Sequence, residues 1–292
     1  MHVSAPASSA NLGPGFDCLA LALDLPFELS DSPAHHDGDG QGWLVVEPTH
    51  PAAVAYAAAG GDTDAQLWWR SPIPPGRGLG FSGAARVAGA YLALISSGVD
   101  TAEIQQRTFS VAAVLEGHPD NAAASTWGGF TVAAGERAVS LKVPEGLEVL
   151  VWWPEKSTST AASRKVLAPT VSRESAAFSI ARSSLWVAAI ATGDLSMLRV
   201  ACEDQVHQAE RLVARPDSAE VLQGMLEDER VLAAWLSGSG PTVAALLPPG
   251  THAEPLAAKL VGSGRTRILS LSASGVQQVP APPQYLTNRV GN

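Results

Sequence analysis

The chain has 292 residues, 46% of them hydrophobic, enough for one large domain or two smaller ones with a substantial core. Its 19 basic and 28 acidic residues give a net charge of −9, which argues against a nucleic-acid-binding or anionic-membrane surface; an anionic ligand would need local donors. Cys18 and Cys202 have no metal-ligand spacing and suggest no disulfide framework, so both are expected as small buried hydrophobes. Met1-His2-Val3 lacks a basic leader, and no apolar run reaches transmembrane length, so a soluble cytoplasmic protein is expected.

In chain order, Leu19 to Leu29 reads as a strand, and His35 to Gly42, rich in Asp and Gly, as an exposed loop. Residues 52–60 are Ala-rich and helix-like. Trp68-Trp69 suggest a strand whose rings serve the core or wall a nucleotide pocket. A helix is expected from the end of the glycine loop at 74–85 to about Ser97, and another over Thr101 to Leu115 that delivers Glu116 at its end. Trp127 to Val132 and Leu147 to Trp153 read as strands. The Ser, Thr, Ala and Pro composition of Pro154 to Thr170 reads as a loop or domain junction. Helices at about 171–192, 195–214 and 218–228 then alternate with strands at Ala233 to Leu236, Val243 to Leu247 and Ile268 to Leu271. The tail Pro280-Ala281-Pro282-Pro283 is expected to be extended.

The most informative stretch is Pro74-Pro75-Gly76-Arg77-Gly78-Leu79-Gly80-Phe81-Ser82-Gly83-Ala84-Ala85. Closely spaced glycines allow positive φ and close backbone approach to an anion, and the helix that follows offers free N–H groups and a positive dipole end. A turn leading into a core helix is the competing structural reading. A Walker loop would need a lysine before the serine, and there is none. The literal Gly-x-Gly-x-x-Gly of Gly78 to Gly83 fails as a dinucleotide fingerprint, because Pro72, Pro74 and Pro75 stand where a strand should precede it.

The same loop resembles the central motif of the GHMP kinases, Pro-x-x-x-Gly-Leu-Gly-Ser-Ser-Ala/Gly-Ala, with Phe81 in place of the first serine and Ser82 as the second. Three other segments narrow the resemblance to the homoserine kinases of that family: Pro6 to Asp17, Glu116-Gly117-His118-Pro119-Asp120-Asn121, and Leu236-Ser237-Gly238-Ser239-Gly240-Pro241-Thr242, where Ser239 replaces the usual alanine. Residues 159–167 and 204–211 are similar to segments carrying a substrate-binding arginine. The matches run in the family's order through nearly the whole chain.

The resemblance implies a two-domain α+β fold, with a βαβ-rich N-terminal nucleotide-binding domain over 1–153 and a ferredoxin-like domain over 154–292. It implies ATP-dependent phosphorylation of the homoserine hydroxyl, with ATP and Mg²⁺, and a homodimer as the common assembly of the family. Pro75, Gly76, Arg77, Gly78, Leu79, Gly80, Ser82 and Gly83 would bind the nucleotide, and Ser82 and Glu116 would hold Mg²⁺, with hard oxygens of the type this ion prefers. Asn11, Asp17, Asn121, Arg164, Arg211 and Gly238 would bind the acceptor, an arginine being suited to a carboxylate and an aspartate to an ammonium. Asn121, Glu116 and Ser82 would form the catalytic centre, and Thr160 would lie near the phosphates or the substrate. An amide such as Asn121 cannot act as a base, so phosphate or water is expected to take the hydroxyl proton. His118 and His207 are expected to make structural hydrogen bonds. A kinase for another small alcohol, or a GHMP-fold binding protein without catalysis, are the alternatives.

Overall fold

The computed structural model describes residues 1–32, 42–260 and 264–280; most of the Asp/Gly loop and the tail beyond Pro280 lie outside the described residues. In chain order the elements are β1 (His2–Asn11), β2 (Gly15–Ser30), β3 (Leu44–Val45), α1 (Pro51–Ala58), β4 (Trp68–Arg70), α2 (Phe81–Ser96), α3 (Thr101–Glu116), α4 (Asp120–Trp127), β5 (Phe130–Ala134), β6 (Arg137–Leu141) and β7 (Glu148–Pro154). After these come α5 (Thr160–Lys165), α6 (Arg173–Thr192), a 3₁₀ turn (Leu195–Met197), α7 (Leu198–Ala201), α8 (Gln208–Val213), α9 (Pro216–Glu227), β8 (Ala233–Leu236), β9 (Val243–Leu247), α10 (Glu254–Leu260), β10 (Gly264–Ser270) and β11 (Gln277–Gln278).

Two sheets organise the α+β chain, and every described strand pairing is antiparallel. The larger runs β11-β1-β2-β4-β3. Its long β2 also pairs with β5 near its start, Leu19 to Leu21 facing Phe130 to Val132, and β5 continues to β6. The smaller sheet runs β10-β7-β9-β8. β7 ends at 154 and so falls within the N-terminal portion expected from the change in composition, yet its partners are β9 and β10. Pairing partners so distant in sequence are invisible to local composition. The chain also returns to the first sheet at its end, through β11 on β1 and a bridge from Leu271 to Leu23.

α2 lies in the interior, with Gly83, Ala84, Ala85, Val87, Ala88, Ala90, Leu92 and Leu94 buried. Small residues let it approach α1, α4 and the first sheet closely, as interior packing requires. One core cluster spans both sheets: Trp186 of α6 stands edge-on to Trp235 of β8, at 5.7 Å, and stacks on Phe130 of β5 at 6.1 Å.

Three local readings differ from the observed elements. The strand expected from Trp127 is preceded by helix α4, where Ala122 to Ala124 favour a helix, and begins only after Gly128 and Gly129 turn the chain at φ +75° and +69°. The single helix expected over 195–214 breaks between Ala201 and Gln208, because the Asp204 carboxylate accepts from the N–H groups of Val206, His207 and Gln208 and offers the backbone a local alternative. The junction at 154–170 contains α5, capped by Ser159 Oγ.

Candidate active site

Gly76, Gly78 and Gly80 adopt φ of +67°, +78° and +70°, so the loop before α2 is built from left-handed residues. Two of these glycines are also required by space. A Cβ at Gly78 would meet the Ser237 carbonyl oxygen at 2.3 Å, and one at Gly80 the Ser8 hydroxyl at 2.1 Å. Gly80 is the N-cap of α2 and no side chain caps that end, so the first turn of a largely buried helix presents its amides to the loop. The loop is tied to distant segments: Ser237 Oγ donates to Gly78 O, Thr158 N to Gly76 O, Thr242 N to Arg77 O and Ser8 N to Leu79 O.

Beside it lies a cleft of about 210 Å³ lined by the three glycines, Phe81, Ser82, Gly83, Glu116, His118, Asn121, Thr158 to Thr160, Gly238 and Ser239. The structure therefore brings Gly76, Gly78, Gly80, Ser82, Gly83, Glu116, Asn121 and Gly238 together, with Thr160 opposite. It does not bring Pro75, Arg77 or Leu79 into the cleft wall. The Leu79 side chain is buried in the core. The Arg77 guanidinium donates to the carbonyls of Pro75 (3.0 Å) and Glu155 (2.6 Å), so it clasps the junction after β7.

Glu116 arrives at the C-terminal end of α3, and its Oε1 accepts from Ser82 Oγ. Arg86, one turn further along α2, donates through its NH1 group to the same Oε1 and to Ser82 Oγ, the latter at 3.1 Å. The fit for Mg²⁺ can be tested on this arrangement: a hydroxyl and a carboxylate converge at the mouth of a phosphate cradle, and a cation already occupies their shared side. These are the donors a small hard cation takes while keeping waters and phosphate oxygens for its other positions. The loop also fits a phosphate chain: the uncapped amides at the start of α2 are donors for an anion, while the glycines let the loop pack directly against Ser8 and Ser237.

The residues expected to bind the acceptor come together from separate segments of the chain. Asp17 holds Arg164 of α5 through two hydrogen bonds, 2.9 and 2.5 Å, both side chains being about one third exposed. Arg211 of α8 is 1% exposed and donates to Gly238 O, Ser163 O and His207 Nδ1. Burial, with the charge of Arg164 nearby, pushes the Arg211 pKa down to about 10, while the hydrogen bond to Asp17 raises that of Arg164. The Phe16 ring lies under both guanidinium groups, at 5.3 Å from Arg164 and 5.2 Å from Arg211. Asn11 reaches the site as a positioning residue: its Nδ2 donates to Gly238 O and its Oδ1 accepts from Asp17 N, so both ends of the amide are used on backbone. Asn11 and Asp17 sit at φ +73° and +56°, uncommon values for non-glycine residues that often mark functional sites.

Asp120 is 2% exposed, and its Oδ1 contacts His118 Nδ1 at 2.6 Å and accepts from the Asn121 N–H. Asn121 Oδ1 accepts from Ser8 Oγ at 2.8 Å. Burial alone would lower the His118 pKa, but its hydrogen bond to Asp120 and the charges of Asp120, Glu116 and Asp17 outweigh this and raise it. Asp17, His118 and Asp120 place donor atoms within 4.8 Å of one another, close enough to share a metal ion, although Asp17 is paired with Arg164 and Asp120 with His118. His207 is buried; its Nε2 donates to Gly13 O and its Nδ1 accepts from Arg211, as in a neutral ring, and burial lowers its pKa. Cys18 and Cys202 are free thiols, the first half-buried and the second buried. Of the Trp pair, Trp69 serves packing: it stacks on Phe27 with an interplanar angle of 6°, and Phe81 meets Phe27, Trp69 and His50 edge-on.

Arg86, Phe16 and Ser8 were not legible as site residues. Ser8 and Phe16 lie inside the Pro6 to Asp17 segment, and Arg86 left its own signal as the one charge in the sequence of α2.

Residues 48–129 match the model for the GHMP kinases N terminal domain, and residues 186–265 the model for the GHMP kinases C terminal domain. A homoserine kinase of Thermus thermophilus is 40% identical over 280 residues, covering 91% of this chain and 94% of the relative. One from Moorella thermoacetica is 40% identical over 263 residues, covering 83% and 86%. The crystal structure of a homoserine kinase from Cytophaga hutchinsonii shares the fold with a TM-score of 0.77, at 22% identity, over 95% of this chain and 96% of that one.

Proposed function

We infer that this chain, which belongs to the GHMP kinases and carries both of their domains, is a homoserine kinase that converts ATP and L-homoserine to ADP and O-phospho-L-homoserine. The observation that carries the acceptor assignment is the Asp17–Arg164 pair beside buried Arg211, next to a glycine cradle whose cleft wall includes Asn121 and Gly238. The pair carries the complement of an amino acid's own charges. A zwitterion can exchange with it, its ammonium taking Asp17 and its carboxylate the freed guanidinium, so that two charges are re-paired rather than stranded.

In this reading the cradle amides and the first turn of α2 hold the β- and γ-phosphates. Ser82 and Glu116 would hold Mg²⁺, which neutralises charge on the phosphate oxygens when bound. Asn121, fixed by Ser8, aligns the acceptor hydroxyl. The hydroxyl oxygen attacks the γ-phosphorus, the bond to the bridging oxygen breaks and ADP leaves. The hydroxyl proton passes to a phosphate oxygen or to water. Asp120 is unsuited to take it, because its carboxylate is buried and engaged with His118 and the Asn121 amide. Catalysis then consists of alignment and charge neutralisation. A cytoplasmic enzyme is part of this proposal; no described helix is long and apolar enough to cross a membrane.

The test is ADP release measured across L-homoserine, L-threonine, and an amino alcohol without a carboxylate, with and without Mg²⁺. Homoserine should be preferred and turnover should require the metal. Equal turnover of the acceptor lacking a carboxylate would remove the arginine assignments. Tight ATP binding with no turnover of any acceptor would favour a binding protein.

A further inference from the structure

Arg86 has no place in the reaction described above, yet it contacts both residues assigned to the metal. Its position is expensive. The side chain is 21% exposed, and among the described residues its Nε is buried with no hydrogen-bond partner, a loss that a neutral residue of similar length would avoid. Every neighbour of Arg86 on α2 from Gly83 to Ala90 is small or aliphatic. Packing therefore gives no reason for a guanidinium at this site, whereas the Glu116 carboxylate does.

We propose that Arg86 is a resident counter-cation of the metal subsite, which holds Glu116 and Ser82 in place in the free enzyme and makes the divalent ion bind only together with the nucleotide. This rests on the kinase reading and deepens it. With the cradle empty, the guanidinium neutralises Glu116 and occupies the side on which the carboxylate and hydroxyl oxygens converge. A divalent cation arriving alone must displace it against like-charge repulsion, in a partly desolvated site where charges are screened less than in water. When a triphosphate lies in the cradle, its added negative charge suffices for both cations. Metal and nucleotide then bind with positive coupling, and by linkage each strengthens the other to the same extent. Arg86 acts as a positioning residue through Glu116 and Ser82.

The experiment uses Mn²⁺ as a paramagnetic probe, its free ion counted by electron paramagnetic resonance against the full-length protein, with and without a non-hydrolysable ATP analogue. The wild type should bind Mn²⁺ weakly alone and at one site with the analogue. Arg86→Met should bind Mn²⁺ alone about tenfold more tightly, a gain of about 1.4 kcal/mol, and should lose that same factor of coupling to the nucleotide. Arg86→Lys, which keeps the charge, should behave as the wild type. A wild type that binds Mn²⁺ equally well with and without nucleotide overturns the proposal, even if Arg86→Met does not fold. So does a gain in Arg86→Lys equal to that in Arg86→Met, which would make shape rather than charge the cause. No acceptor is present in these titrations. Failure to phosphorylate homoserine would therefore undo the acceptor assignment without touching the Mn²⁺ result, and the reverse holds as well.

Discussion

The two halves of the site are made of different materials. The half proposed for phosphate is mostly backbone: three left-handed glycines and the uncapped start of α2, all within about one loop of sequence. The half proposed for the acceptor is mostly side chains, with Asn11, Asp17, Asn121, Arg164 and Arg211 brought from distant segments and already paired with each other or with neighbouring groups. A backbone cradle is rigid because the chain has no other place to go. A side-chain pocket holds its charges ready by neutralising them internally until a ligand of matching charge exchanges in. The first should thus fail abruptly when its geometry is altered, and the second gradually, by loss of affinity for one substrate.

The largest effect is expected at Gly78. In Gly78→Ala the new Cβ would need the space of the Ser237 carbonyl oxygen, 2.3 Å away, and would crowd the Gly240 carbonyl oxygen at 3.0 Å. Both neighbours are backbone, so the cradle itself must shift, and a displacement of about 1 Å at such a site can cost about 100-fold in rate. kcat/KM for ATP should fall by about that factor, measured by ADP release at saturating acceptor. Gly98→Ala is the control, because Gly98 has φ +71° but nothing within 4 Å of the position a Cβ would take. It should cost about 1 kcal/mol of stability in urea unfolding, from backbone strain alone, and leave kcat/KM unchanged. Equal activity losses in the two variants would show that strain, and not the form of the cradle, governs the first half.

The acceptor half should respond in KM. Arg164→Lys replaces a forked donor by a single ammonium in a pair that is about one third exposed, so stability should change by no more than about 1 kcal/mol. KM for homoserine should rise about tenfold with KM for ATP unchanged, as expected when bidentate geometry to a carboxylate is lost. Arg211→Lys should raise KM for homoserine at least as much and also lower the urea midpoint, because Arg211 is 1% exposed and joins Ser163, His207 and Gly238. A rise in KM for ATP in Arg164→Lys would place that arginine on the wrong side of the comparison.

This division also decided what could be read in advance. The glycine loop and the helix it opens were legible because both are local in sequence. β8 and β9 were legible for a related reason, as short apolar runs bounded by turn residues. The acceptor residues could be named only through likeness to a family, since no local pattern joins Asp17 to Arg164. Arg77 shows the limit of reading a motif residue by residue: it stands inside the cradle sequence, yet its side chain turns away to the carbonyl of Glu155. Asp204 shows another, where one carboxylate accepting three amides breaks a helix that apolar spacing alone would continue. Membership of β7 in the second sheet depends on partners about 90 residues or more downstream, which no local window contains.

The smallest effect concerns how the cradle helix is supported from behind. His50 caps α1 by accepting from Ala52 N at its Nδ1, and its ring packs on Trp69 at 4.8 Å and on Phe81, the first residue of α2, at 5.9 Å. Burial lowers its pKa to about 4 from the ordinary 6.5, so the folded protein keeps this ring neutral where the unfolded chain would protonate it. Below pH 6.5 the unfolded state therefore binds more protons than the folded one, and stability must fall as the pH drops from about 6.5 toward 4; above 6.5 this contribution is fully present. His50→Asn keeps a capping acceptor and removes the titration. The loss of urea midpoint between pH 7 and pH 5 should be smaller in the variant than in the wild type. An identical loss would mean that other groups carry the acid sensitivity and that the packing behind α2 is indifferent to the charge of this ring.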